Sequence, residues 1–303
     1  MKSKHIYKSI ACGVLLALTA TSCDLDYNPV DSYSDVTEGV DKTDEKPIFN
    51  SVQDVETSMV TLHKKFRDQQ EHWYVDKLLI GDAHSDNAYA GTTGAEVVPY
   101  ETNSIEGSNS VLKRDWDRFL GDIAEANRII VGCEQLKALS DSERGKYQSQ
   151  AKIFRAMVMF DMVRLWGNFP VITTVGGDIT EDNVEEMYPT YFPPQNTAEE
   201  AYAQIEKDLT EAVENPNTPT NDASDKSILT KSVARAMLAK VYAEKPLRDY
   251  AKVIKYADEL AADGFDLVED FSDLWAYDTE KKDCRVRNTK EAILEAHFPP
   301  GSG

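Results

Sequence analysis

The sequence predicts an all-α protein, mostly helix with irregular loops, built from tetratricopeptide-like helical hairpins. Three observations carry that expectation. Apolar residues recur at the 3.6-residue helical period over long stretches. Several helix starts carry capping boxes, in which a Ser or Thr oxygen and an acid three residues on satisfy free N–H groups. A helix pair over Thr230–Ala262 spans about 34 residues, the tetratricopeptide period.

In chain order, residues 1–22 begin basic (Lys2, Lys4, Lys8), run apolar from Ile10 to Ala20 and end in small residues before Cys23. This reads as a secretory signal peptide, too short and wrongly flanked to span a membrane. Ala20-Thr21-Ser22-Cys23 resembles a bacterial lipobox, which implies cleavage before Cys23 and its lipidation; the alternative is an ordinary signal and an incidental cysteine. The formal net charge is −20, and losing the signal removes three lysines and no acids, leaving −23. That charge argues against nucleic acid and anionic lipid surfaces as partners, because both are polyanions. Cys12 leaves with the signal, so Cys133 and Cys284 remain, too few for a disulfide framework. Cys133 sits on an apolar helix stripe and reads as a buried thiol, although a single bridge between the two stays open.

Residues 23–50 are polar, with Pro29, Pro47 and many Asp, and read as a tether ahead of a helical domain over 51–303. Ser51-Val-Gln-Asp54 caps a first helix whose stripe is Val52, Val55, Met59, Leu62 and Phe66. Trp73 to Ile80 leads into a loop, Gly81–Asn109, without clear periodicity. A loop that long is usually functional or disordered. His63 and His72 read as surface residues.

The next helix, Val111–Leu139, carries Leu112, Trp116, Phe119, Ile123, Ala126, Ile130 and Cys133. Ser140-Asp-Ser-Glu143 then opens its antiparallel partner. One face of that partner holds Tyr147, Ala151, Phe154, Val158, Met162 and Leu165; another holds Ile153, Met157 and Phe160. A helix apolar on both sides lies inside a helical layer. Arg155 and Arg164 interrupt the run and are expected to pack their stems while their heads reach carboxylates. Gly167 and Pro170 end it. Thr174–Gln195 is irregular. Thr197-Ala-Glu-Glu200 caps a helix bearing Ala201, Tyr202, Ile205, Leu209 and Val213, which stops at Asn215-Pro216. In the pair Thr230–Ala243 and Leu247–Ala262, Leu238, Ala239, Tyr242 and Ala251 occupy the repeat's packing positions. Phe265–Gly303 is irregular, with a strand-like run at Ala292–Phe298.

The segment FRAMVMFDMVRLWGNFPVIT, starting at Phe154, resembles the "FLRA…YFDLVRLWGDVPLVT" segment of the SusD/RagB family. The helix with Trp116 and Asn127, the capped "EEAYAQIEKDLTEAV" and "TKSVARAMLAKVY" resemble further family segments in the family's order. The resemblance implies a SusD-like helical fold and a surface lipoprotein that binds oligosaccharides and delivers them to a SusC-like TonB-dependent transporter. It implies attachment to the outer membrane through lipid on Cys23, facing the cell exterior, with Asp24 and Asp26 directing surface export. It also implies that this chain is the N-terminal part of a longer protein, its C-terminal portion missing. Some relatives handle peptides, so the ligand class stays open.

A binder of neutral glycans needs flat ring faces for the apolar C–H faces of sugars and amides or charges for the hydroxyls. Asp82, Asp86, Asn87 and Tyr89 in the long loop offer that mixture, with Trp73 upstream and Tyr100 downstream. Trp275 and Tyr277 are candidates for another aromatic wall. The competing reading has Trp73 and Trp275 packing beneath the loops and Asp86 stabilising a turn. Asp82-x-His84-x-Asp86 lacks a fourth ligand at a recognisable spacing, so neither metal nor cofactor is expected. No G-x-S-x-G, P-loop, G-x-G-x-x-G or H-E-x-x-H is present, and catalysis is not expected. The alternative function is a lipid-anchored repeat scaffold that binds only protein.

Overall fold

The computed structural model describes residues 47–69, 71–85, 87–89, 94–177 and 183–298; the expected signal peptide over 1–22, the expected tether up to residue 46 with Cys23, and Asp86 lie outside them. Helix α1 is Val52–Asp68, α2 Ser110–Gln135, α3 Asp141–Trp166, α4 Val184–Tyr191, α5 Ala198–Glu214, α6 Lys231–Ala243 and α7 Tyr250–Ala262. The fold is mostly α, as its sequence predicts.

The helix starts follow from side-chain chemistry. Ser51 with Asp54, Ser140 with Glu143 and Thr197 with Glu200 form complete capping boxes. Asn109 accepts from the Val111 and Leu112 amides to start α2. At the far end of α3, Gly167 takes φ 72° and the chain leaves the helix axis. Gly264 does the same after α7, at φ 93°.

α3 is the centre of the layer, packed between α2 and α5, with α5 packing on α6 and α6 on α7. Ala151, Ile153, Phe154, Ala156, Val158, Met159 and Met162 are buried on several sides of α3. The tetratricopeptide-like pair closes through Tyr242 and Tyr256, whose rings stack 6.1 Å apart at 5°. α1 lays Val55, Met59, Leu62 and Phe66 onto α2 and α3.

Arg155 is buried outright rather than half-solvated. Its Nε and Nη2 donate to Asp208 on α5 at 2.8 and 2.7 Å, and its Nη1 donates to Asn127 on α2 at 2.6 Å. Asn127 in turn donates to the carbonyls of Ile172 and Thr174. One guanidinium therefore fixes three helices and the strand-like exit from α3. Arg164 pairs with Glu244 at 3.1 Å at the surface end.

Four readings are corrected. The segment Glu71–Ala83 is helical throughout, with wide π turns at Glu71–Val75 and Leu79–Ala83 around one α turn, so the loop begins after Ala83. The loop also contains a short helix, Val98–Glu101. His72 is buried, because the wide turn swings it inward against Phe119 and Asp122. Ala292–Phe298 pairs with no strand among the described residues: Glu295 donates one backbone bond to Lys226, and Ile293, Leu294 and Ala296 press on the core instead. Among the described residues the strands are β1, Tyr277–Asp278, and β2, Asp283–Cys284, paired antiparallel. Cys133 and Cys284 are both free, Cys133 buried as its stripe predicts.

Candidate glycan-binding face

Helical turns Glu71–Ala83 and the extended run Leu294–Phe298 face each other across a cleft of about 320 Å³. Phe66, Trp73 and Met157 form its floor, while Tyr74 and Phe298 meet edge to face above, 6.2 Å apart at 71°. Lys77 stands at the rim, its ammonium 4.6 Å from the Trp73 ring centroid and 2.5 Å from Asp161. Glu295 lies opposite and pairs with His297 at 2.9 Å. Adjacent helix residues point different ways, which is why Trp73 turns in and Tyr74 turns out.

Beyond Glu295, Ala296 and Phe298 lies a second cavity of about 490 Å³, with Asp283, Arg287, Glu291 and His297 in its wall. Arg287 is held by Asp283 and by the Phe298 carbonyl. The 3₁₀ turn Phe271–Leu274 is tied to the β2 side through Arg285, which binds Asp273 and Ser272. That turn presents Phe271 and Trp275, ring centroids 6.4 Å apart, and Tyr277 follows on β1. All three are exposed, Trp275 at 76%. Large rings fixed on short braced turns can stack on sugar faces without first giving up much motion.

The predicted site residues divide accordingly. Trp275 and Tyr277 stand open beside Phe271. Tyr89 is 69% exposed and Asn87 is exposed, its amide donating to Ser85, and no ring of the described residues stacks on Tyr89. The backbone carbonyl of half-buried Asp82 gathers the amides of Ser85, Asn87 and Ala88. Two candidates are corrected. Trp73 is 4% exposed, wedged among Phe66, Phe119 and Phe154, so it floors the cleft and offers no open face. Tyr100 is buried beneath the loop. Sequence reasoning passed over Phe271, Phe298 and Lys77. Phe271 was detectable by its four-residue spacing to Trp275, whereas Phe298 gains meaning only from a partner more than two hundred residues away.

A polar cluster with Asp76 and Asp115 buried joins the helical turns Glu71–Ala83 to α2. Arg114 binds Asp76 at 2.5 Å, and Asp115 lies beside both. Burial, and then the hydrogen bond and charge of Asp76, push the Asp115 carboxyl up to about 8. The Tyr100 hydroxyl is pushed up to about 12 by burial and by the nearby charges of Asp115 and Asp76. Deeper in, Asp122 takes Lys65 at 2.9 Å and His72 at 3.3 Å.

Fold and face together define a class: a helical-repeat scaffold that displays aromatic rings on irregular segments. The chain belongs to the SusD-like family described as "Starch-binding associating with outer membrane", whose pattern matches residues 31–243. A "SusD-like protein" of Bacteroides ovatus is 25% identical over 99% of this chain and 50% of its own length. This chain thus spans about half of that relative. Solved structures share the fold. A "SusD superfamily protein" from Bacteroides vulgatus superposes with TM-score 0.64 at 18% identity, covering 82% of this chain and 50% of the other. A "Laminarin binding SusD-like protein" gives 0.61 at 20% identity, over 75% and 48%. "Surface glycan-binding protein A from Bacteroides thetaiotaomicron in complex with laminarihexaose" gives 0.59 at 16% identity, over 74% and 46%.

Proposed function

We propose that this protein captures oligosaccharides at the cell surface and hands them to a SusC-like TonB-dependent transporter, without chemically changing them. The observation that carries this reading is the group of exposed rings, Phe271, Trp275 and Tyr277, braced beside a cavity that has Asp283, Arg287 and Glu291 in its wall. Stacking of ring on pyranose needs such faces, and the neighbouring carboxylates and Arg287 supply partners for hydroxyls. Membership of the SusD-like family and structural neighbours named for laminarin and laminarihexaose support a carbohydrate ligand. Asn87 and Tyr89 extend the ligand surface from the other loop, with Asp82 shaping their turn and Asp86 as a further ligand from the sequence. Lipid on Cys23 holds the protein to the outer membrane, facing out.

Isothermal titration of the whole chain against soluble neutral glycans tests the reading. Binding to at least one, weakened by Trp275→Ala with Tyr277→Ala, is expected. A folded chain that binds none of them refutes it. Cys23→Ala should release the protein from the membrane fraction; an unchanged membrane fraction refutes the anchor.

A further inference from the structure

The excursion between α3 and α5 carries a second set of open rings to which none of the roles above belongs. α4 and the residue after it present Tyr188, Tyr191 and Phe192. Tyr188 is 56% exposed and Phe192 67%, and their rings stand 4.8 Å apart at 37°. They lie four residues apart, on one side of the helix end. Glu185, exposed and one turn before Tyr188, shares that side.

The group is held in place. The Tyr191 hydroxyl donates to the Gly177 carbonyl at 2.5 Å. A Cβ on Gly176 would lie 3.2 Å from the Tyr191 ring, so glycine leaves the ring room to close onto this segment. A Cβ on Gly177 would likewise lie 3.1 Å from Met187. At the neck, the Asn196 amide donates to Phe169 and the Val171 amide to the Asn196 side chain, each at 2.9 Å, joining the two ends of the excursion. Open rings on an anchored segment are preorganised, so a ligand that stacks on them orders little.

We propose that Tyr188 and Phe192, with Glu185 beside them, form a second carbohydrate platform for a pyranose ring of a neutral glycan, distinct from the Tyr74–Phe298 cleft and from Trp275. The proposal rests on the glycan-capture reading above. Its chemistry is ring face plus carboxylate: the faces take the C–H side of the sugar, and Glu185 accepts from its hydroxyls. Glu185 and Glu186 at this end, on a chain of net charge −20, disfavour sulfated or uronic sugars. A protein-docking face would be expected to surround the rings with aliphatics; here the helix adds one exposed aliphatic, Val184, against two glutamates. Two platforms on one chain would let a long polysaccharide bind at both and dissociate slowly.

The test titrates the whole chain with maltohexaose, laminarihexaose, cellohexaose, mannohexaose and xylohexaose. Wild type should take two equivalents of a bound hexasaccharide, and Tyr188→Ala with Phe192→Ala one. Retention of the matching polysaccharide should weaken by about tenfold or more in affinity electrophoresis. Glu185→Gln should weaken the second equivalent alone. Because the rings are exposed, unchanged circular dichroism verifies folding of each variant. If wild type binds one equivalent, or the double variant keeps both and retains polysaccharide as before, the platform is refuted while glycan capture stands; that includes the case in which the rings serve a protein partner. If wild type binds no hexasaccharide, glycan capture fails and the platform falls with it.

Discussion

Trp73 and Trp275 are the same residue in opposite circumstances. Trp73 sits in the helical frame with rings on three sides, whereas Trp275 rides a braced turn with one ring beside it. The frame spends its aromatic residues on cohesion, and the irregular segments keep theirs open. Residue type alone does not say which role a ring has; the number of elements closing on it does. Trp73→Ala should therefore cost about 3–5 kcal/mol in chemical denaturation, the usual loss for a large core aromatic. A loss below about 1 kcal/mol would mean that the cleft floor yields freely and that the contrast is false.

Arg155 is the polar counterpart in the frame. Its removal leaves Asp208 and Asn127 buried without their main partner. Arg155→Ala should cost about 3–5 kcal/mol, since an uncompensated buried charge is expensive. Arg155→Met with Asp208→Leu should recover much of that loss, because an apolar pair of similar volume removes the charge as well. Failure to recover would assign the network a role in setting helix register.

Asp115 lies at the boundary between the two regions, and it sharpens the comparison through pH. Its carboxyl is raised from 3.8 to about 8 in the folded protein, by burial first and then by Asp76. Between those values the unfolded chain has lost the proton that the folded chain keeps, so stability from this group falls as pH rises, by at most about 1.4 kcal/mol per unit. Asp115→Asn has no proton to hold. Its stability relative to wild type should grow from about pH 4 to about pH 8 and then level off. Parallel curves for the two proteins would show that Arg114 and Arg118 keep Asp115 ionised. A milder effect belongs to the cap of α5: Thr197→Ala should cost about 1 kcal/mol by thermal unfolding.

Most of the frame was legible because its signals are local. Ser51, Ser140 and Thr197 each cap through an acid three residues on, and the two-sided pattern of α3 announced a buried helix. Arg155 was legible only as an anomaly, since Asp208 lies fifty-three residues away. The face was harder. Trp73 follows a polar stretch, Arg67–His72, and the wide turns at Glu71–Val75 and Leu79–Ala83 break the 3.6-residue register that would have shown which way it points. Tyr100 sits in a run without clear periodicity, and the helix that carries it, Val98–Glu101, is a single turn, too short to show an apolar stripe. The open rings of α4 lie in a stretch that reads as featureless because its helix is only two turns long.

Trp275→Ala carries the smallest expected effect on stability and separates the two regions most cleanly. The ring contributes little to the core, so removing it should change the unfolding free energy by less than about 0.5 kcal/mol. Its stacking on a sugar is worth about 0.5–1.5 kcal/mol, so glycan affinity should fall about 2- to 12-fold in titration calorimetry. Phe271 would then remain as an isolated ring, and Trp275→Phe should restore part of the affinity by restoring the pair. A variant that loses stability in step with affinity would place Trp275 with Trp73, as one more brace of the frame. A variant that loses neither would leave Tyr74, Phe298 and the loop ring Tyr89 to carry the ligand.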